Sequence, residues 1–356
     1  MFPSNSTAGS LVLAPMDGVT DALMREVLTE VCPLSYCVTE FIRVSGLVPP
    51  EHVFLREVPE LKLSGASCRN SKGYRSPQEG HEVSAQIAGA RTRSGAPVQV
   101  QLLGGDPTRL ADSAQVAVRL GASAIDINFG CPAPTVNRHD GGATLLKYPE
   151  RIKAIVAAVR SAVPNHLPVS AKLRLGWDDP SAIITNAEMA AEGGASWITI
   201  HGRTRMQGYT PPAYWRPIGD VRKALSIPVV ANGEIWSLDD LKRCIDQSGC
   251  MHFMLGRGVL AQPRLVLDCA RYLGLPHEGY SDIHLYSWPN LLQRLVDRAV
   301  EHGESERRIL SRVKQWLNYA HKHGSYQNFQ QMKRVSSTTE LYAALGVDER
   351  RKECAV

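Results

Sequence analysis

Asp126-Ile127-Asn128-Phe129-Gly130-Cys131-Pro132-Ala133-Pro134-Thr135-Val136-Asn137 is the stretch on which the fold of this chain turns. Ala124 to Asn128 reads as a short buried strand. A Gly-Cys-Pro turn ends it: Gly130 tolerates backbone angles that crowd other residues, and Pro132 fixes the dihedral just after the thiol. An isolated cysteine is ordinarily a small buried filler. One held by a rigid turn at a strand end is placed for chemistry.

The same strand-then-turn unit recurs on both sides. Upstream, Leu11 to Met16 is an apolar run ended by Pro15-Met16-Asp17, and helix signals begin at Thr20-Asp21 with Leu23, Met24, Val27, Leu28 and Val31 on one face. Tyr36 to Phe41 reads as a strand, and Val98 to Leu103 as another, followed by a helix over 107–120. Downstream, a helix over 149–163 leads to strand Val169 to Arg174, then a helix over 181–192 and strand Ser196 to His201. A helix over 213–225 leads to Pro228 to Asn232, and a helix over 238–246 to His252 to Leu255, which ends in Gly256-Arg257-Gly258. About eight alternations of this kind demand parallel strands with right-handed crossovers. They predict a (β/α)₈ barrel over 1–275, with its site at the C-terminal ends of the strands. An open doubly wound sheet is disfavoured, because no Gly-x-Gly-x-x-Gly follows the first strand.

After about Leu275 the alternation stops. Trp288, Leu291, Leu292, Leu295, Val296, Ala299 and Val300 keep helical spacing; Ile309, Leu310, Val313, Trp316, Leu317 and Ala320 repeat it, and a weaker stripe runs through Phe329, Met332 and Val335. Residues 276–356 therefore read as a small helical bundle. The stretch of about 64–97 interrupts the barrel pattern. It is rich in Gly, Ser and Arg, carries Arg69, Lys72, Arg75, Arg91 and Arg93, and reads as a solvated insertion, with contact to an anionic polymer as the other reading.

At 356 residues and 44% hydrophobic content the chain can bury a full core. A net charge of +5 is compatible with an anionic partner. No apolar run is long enough to span a membrane, and residues 1–10 lack a signal-peptide pattern. Eight scattered cysteines with no Cys-x-x-Cys pair predict a reducing cytoplasm, no disulfide framework and no metal site.

One rim of the predicted barrel collects Pro15-Met16-Asp17, Gln101, Asn128 with Cys131, Lys172 with Arg174, His201 with Arg203, Asn232-Gly233-Glu234 and Gly256-Arg257. The last two turns are the usual phosphate-binding place in such barrels, and Gly233, Gly256 and Gly258 let backbone N–H groups approach one. Lys172 admits three roles: an ammonium stabilising negative charge on a carbonyl-rich ring, a Schiff-base nucleophile, or a salt-bridge partner of Glu234 or Asp126.

Taken together, Leu-Ala-Pro-Met-Asp-Gly-Val-Thr at 13–20, Thr-Glu-Phe at 39–41, Gln-Leu-Leu-Gly at 101–104, the Gly-Cys-Pro segment through Leu146, Lys-Leu-Arg-Leu-Gly-Trp at 172–177, His-Gly-Arg-Thr at 201–204, Ala-Asn-Gly-Glu-Ile at 231–235 and Gly-Arg-Gly at 256–258 resemble the tRNA-dihydrouridine synthases. Arg174-Leu175-Gly176-Trp177, Gly233-Glu234-Ile235-Trp236 and Lys314-Gln315-Trp316-Leu317 are most similar to the C-type branch, which acts on position 16 of the D-loop. The resemblance implies FMN in the barrel, NADPH as reductant, and a helical domain that helps dock tRNA. It implies FMN contacts at Pro15, Met16, Asp17, Gln101, Lys172, His201, Asn232, Gly233, Glu234, Gly256 and Arg257. It implies Cys131 as the proton donor, and Asn128, Arg174, Arg203 and Lys314 as substrate contacts. Arg307, Arg308, Arg312, Lys333 and Arg334 are further candidates for phosphate contacts. Many relatives carry a lysine where this chain has Pro134. Competing readings are an FMN-dependent barrel oxidoreductase acting on a small-molecule pyrimidine or enone, a Schiff-base aldolase built on Lys172, and a tRNA-binding module without catalysis.

Overall fold

A computed structural model describes residues 2–4, 9–64, 89–324 and 326–346. Arg69, Lys72 and Arg75 of the expected insertion lie outside the described residues. The strands are β1 Ser10–Leu13, β2 Tyr36–Val38, β3 Ile42–Arg43, β4 Val98–Leu103, β5 Ile125–Asn128, β6 Val169–Arg174, β7 Trp197–His201, β8 Val229–Asn232 and β9 His252–Leu255. Every ladder among them is parallel. β1 pairs with both β9 and β2, and β2 pairs with β4, so eight strands close into a (β/α)₈ barrel while β3 extends the edge beside β4.

The second predicted strand is broken in two, and the reason is local. Val38 pairs with Gln99 and Ile42 with Leu102, so one strand has an extra residue across the gap, as in a bulge. Thr39 closes the gap with its hydroxyl, which accepts the Gln101 N–H at 3.0 Å in place of a backbone carbonyl. Glu40 and Phe41 are thereby turned toward the barrel mouth, where both line the central cavity.

Helices form where sequence supplies both an apolar face and a start signal. Asp21 caps Ala22–Val31 by accepting the Met24 N–H, Asp106 caps Pro107–Arg119 through Arg109, and Ser237 caps Leu238–Ser248 through Asp240. Beyond the barrel, Trp288–Glu301 and Glu306–His323 carry the two expected apolar stripes. The third stripe forms only the single turn Phe329–Met332, and Thr338–Leu345, capped by Ser337, supplies a further helix that the spacing did not reveal. The buried core runs without a break from the barrel into this bundle, and Trp316 donates its indole N–H to Leu260 O at 3.0 Å. Among the described residues no helix is long and apolar enough to cross a membrane.

Candidate active site

The strand register sets the site. Asn128 lies opposite Lys172 across β5 and β6, Arg174 opposite His201 across β6 and β7, and His201 opposite Asn232 across β7 and β8. These side chains ring a cavity of about 420 Å³ at the C-terminal mouth of the barrel. Its wall includes all of Pro15, Met16, Asp17, Gln101, Asn128, Cys131, Lys172, Arg174, His201, Asn232, Gly233, Glu234, Gly256 and Arg257.

Cys131 stands at the edge of this cavity on a closely specified turn. Asn128 Oδ1 accepts the N–H groups of Gly130 and Cys131, each at 2.9 Å. The Cys131 carbonyl accepts from Asn137 Nδ2 at 3.0 Å and from the Ala143 N–H at 3.1 Å. Gly142 has φ +60°, and a Cβ there would lie 2.9 Å from the Cys131 carbonyl oxygen, so only glycine closes the loop. Burial pushes the thiol above its ordinary value, with the Asp17 charge adding to it, against a hydrogen bond from Ala133 and the cations Arg174 and Lys172. The thiol therefore stays protonated at neutral pH and can give up a proton.

Lys172 is half-buried beside Arg174; its desolvation and that charge bring it down to about 8, while the Asp126 charge holds it up. Asp126 forms no direct bridge to it: its carboxylate is engaged by Gln101 Nε2 at 2.7 Å and by the Ser170 hydroxyl. His201 is held well below its ordinary value by burial and by the cations Arg174, Lys172, Arg203 and Arg257, so it is neutral. Its Nδ1 is buried with no protein partner.

Two expected substrate contacts, Arg203 and Lys314, do not line this cavity. Arg203 is wholly buried and does not reach the cavity; its Nε donates to Thr210 O at 2.7 Å and its Nη2 pairs with Glu234 at 2.8 Å. It acts behind the wall, where Glu234, at φ +58°, also receives Arg257 at 3.0 Å. A sequence motif cannot tell an arginine facing a ligand from one supporting a carboxylate. Lys314 sits half-buried on the bundle helix, outside the cavity wall. Among the bundle arginines, Arg308 pairs with Glu304 at 3.0 Å and Arg312 with Asp21. In the loop before β4, Arg93 pairs with Glu301 at 2.6 Å and Glu26 at 3.1 Å, a tie between loop and bundle.

Several wall residues carry no motif. Tyr209, more than half exposed, lies under the guanidinium groups of Arg174 and Arg257 at 5.2 and 5.3 Å from its ring centre. Tyr319 and His323 reach the cavity from the bundle helix, and His323 stacks on Trp236 at 4.8 Å. Their spacing from Trp316 was a usable signal, since positions three and seven residues on share a helix face.

Comparison with known proteins is in keeping with this geometry. Residues 12–351 match the family model described as dihydrouridine synthase. A tRNA-dihydrouridine(16) synthase of Shewanella oneidensis is 41% identical over 339 residues, covering 94% of this chain and 96% of that protein. One from Cupriavidus necator is 43% identical, covering 87% of each chain. Among solved structures, a histamine dehydrogenase from Rhizobium sp. 4-9 aligns with TM-score 0.52 at 14% identity, covering 74% of this chain and 46% of that one, a likeness of fold alone. The fold and site define a parallel-barrel enzyme with a cysteine thiol at the edge of its mouth. The chain belongs to the dihydrouridine synthase family.

Proposed function

We propose that this enzyme reduces a uridine of tRNA, at position 16 of the D-loop, to 5,6-dihydrouridine with FMN as bound cofactor and NADPH as reductant. The observation that carries the reading is the Cys131 thiol, held by a rigid turn at the edge of a cavity where the neighbouring strand β6 presents Lys172 and Arg174 beside it. The wall also suits a flavin with a phosphate tail. It offers the ammonium of Lys172, the unpartnered Nδ1 of His201, and Gly233 at φ +114°, where a Cβ would lie 3.3 Å from His201 Nε2.

Bound in reduced form, FMN supplies the hydride that adds to C6 of uracil. The chain's own residues do the rest. Cys131 Sγ gives its proton to C5, which completes reduction of the C5–C6 double bond, and is reprotonated from solvent. Lys172 and Arg174 supply positive charge where the uracil carbonyls gain electron density. Arg174 is held for this task, donating to Gly130 O at 2.8 Å and Gly208 O at 2.8 Å. The uridine must leave its loop stack to reach the cavity, at a cost of a few kcal/mol. Tyr209, on the outer lip, is an aromatic surface for the displaced base. Lys147 and Arg205, packed on Trp177 at 3.9 and 4.7 Å beside the Cys131 loop, are proposed to meet RNA phosphates.

The test uses unmodified tRNA transcript and tRNA from cells lacking dihydrouridine synthases, each incubated with the enzyme, FMN and NADPH, with dihydrouridine mapped by position. Reduction at position 16 that collapses in Cys131→Ala is the expected result. Reduction at another D-loop position overturns the site assignment. NADPH oxidation with no reduced uridine on either RNA moves the reading to a small-molecule pyrimidine or enone reductase.

A further inference from the structure

Asp126 is a carboxylate buried inside the barrel, on β5, two residues before Asn128, and the chemistry above does not use it. Its partners form a chain. Asp126 Oδ2 accepts Gln101 Nε2 at 2.7 Å, Gln101 Oε1 accepts Asn128 Nδ2 at 2.8 Å, and Asn128 Oδ1 accepts the N–H groups of Gly130 and Cys131. The other oxygen, Oδ1, accepts the hydroxyl of Ser170, whose oxygen in turn accepts Gln99 Nε2 at 2.8 Å.

A side-chain amide has an acceptor end and a donor end and can turn over; an ionised carboxylate only accepts. Two amides thus stand between an acceptor-only group and a pair of donor-only backbone groups, and one arrangement satisfies every contact. We infer that Asp126 is a positioning residue that fixes the donor–acceptor direction of the Gln101–Asn128 relay and so the geometry of the Cys131 turn. The carboxylate forces Gln101 to present its oxygen to Asn128, and Asn128 its oxygen to the turn. Burial raises the cost of any mismatch, because Gln101 and Ser170 are shielded from water. This inference rests on Cys131 being the reacting group.

The test exchanges the carboxylate and the amide. In Asp126→Asn, one buried donor lacks an acceptor whichever way the amides turn: the Ser170 hydroxyl in one orientation, an N–H of the relay or turn in the other. The double variant Asp126→Asn/Gln101→Glu satisfies the chain again, with the carboxylate one step nearer the turn. Two quantities are read on the flavoprotein: the rate of iodoacetamide labelling at Cys131, by mass spectrometry of its peptide, and kcat and KM with tRNA. The single variant is expected to label about fivefold faster and to lose about tenfold in kcat with KM for tRNA within threefold. The double variant is expected to return labelling to within twofold of the parent. A single variant that labels and turns over as the parent does overturns the inference, and so does a double variant no closer to the parent than the single. If the single variant does not fold, recovery of folding and of parental labelling in the double variant supports the relay, and its failure overturns it. Labelling does not depend on which uridine is reduced, so this result stands apart from the functional reading.

Discussion

Arginines and lysines meet different fates at the seam between barrel and bundle and around the Cys131 loop. On the seam between barrel and bundle they meet carboxylates. Arg298 lies 2.8 Å from both Glu30 and Glu301, Arg93 bridges Glu26 and Glu301, and Arg312 pairs with Asp21 while donating to Gly18 O. Around the Cys131 loop Arg151 pairs with Asp140 at 2.6 Å, but three other cations meet neutral groups. Arg205 reaches Asn137 Oδ1 at 3.1 Å and the Trp177 ring, Lys147 lies over the same ring, and Arg43 approaches Thr135 O. A paired charge at a seam mostly fixes two elements in place. A charge held by an indole and an amide keeps its field for a ligand. Residue type alone does not separate the two; the partner does.

The largest effect belongs to the loop side. Cys131→Ala is expected to cut turnover on tRNA by about 10²–10³, the scale of a lost general acid, with flavin content and tRNA affinity kept. Single-turnover reduction at the parental rate in that variant would break the assignment of Cys131 as acid.

Smaller effects follow from pH. Lys172 titrates at about 8, lowered by burial and Arg174, so its ammonium is lost above that pH and kcat/KM should fall there about tenfold per unit. Asp126, raised by burial to about 6, is ionised above that pH; below it the relay loses its acceptor-only end and activity falls again. A bell with limbs near 6 and 8 is expected. Glu40, pushed by burial to about 7 at the cavity wall, is the neighbour to exclude, and Glu40→Gln should leave both limbs in place. A flat profile from 5 to 9 would remove both groups from the reaction.

The barrel, and the ring of residues at its mouth, were legible in the sequence because both follow from periodicity. A parallel strand ending in a polar turn repeats often enough to count, and the closure rule then brings the turns together. What stayed hidden depended on contacts between distant segments. The break at Thr39 arises from a hydroxyl meeting the Gln101 N–H, and nothing near Thr39 announces it. Arg203 carries the same local signature as a ligand-facing residue, yet Glu234 and Thr210 draw it inward. Tyr209 reached the site from a loop with no period to read. Residues 65–88, the centre of the expected insertion, lie outside the described residues.

The division between loop and seam is most directly challenged by salt. Arg205→Gln or Lys147→Gln should each weaken tRNA binding a few-fold and make log Kd against log salt shallower by about one unit, the loss of one phosphate contact. Arg308→Gln, with its partner Glu304 in the turn just before the helix, should leave that slope unchanged. The reverse result, a slope change at Arg308 and none at Arg205, would place the RNA across the bundle and make the loop cations structural.

The smallest effect is expected at Arg312. Its guanidinium joins the bundle helix to the loop after β1 through Asp21, Gly18 O at 3.0 Å and Val19 O at 3.4 Å, and Gln315 adds a donor to the same Gly18 carbonyl at 2.8 Å. Hydrogen bonds to charged groups are worth about 1.5–3 kcal/mol, but this pair is partly open to solvent and screened, so about 1 kcal/mol is the fitting scale. Arg312→Gln should therefore lower Tm by about 2 °C in a chain of this size, with kcat and the salt slope of tRNA binding unchanged. Gln315 keeps the loop tethered in the variant, which is why the loss is small. A change in the salt slope with no change in Tm would mean that the seam arginine works on RNA after all, and that a carboxylate partner does not by itself withdraw a cation from binding.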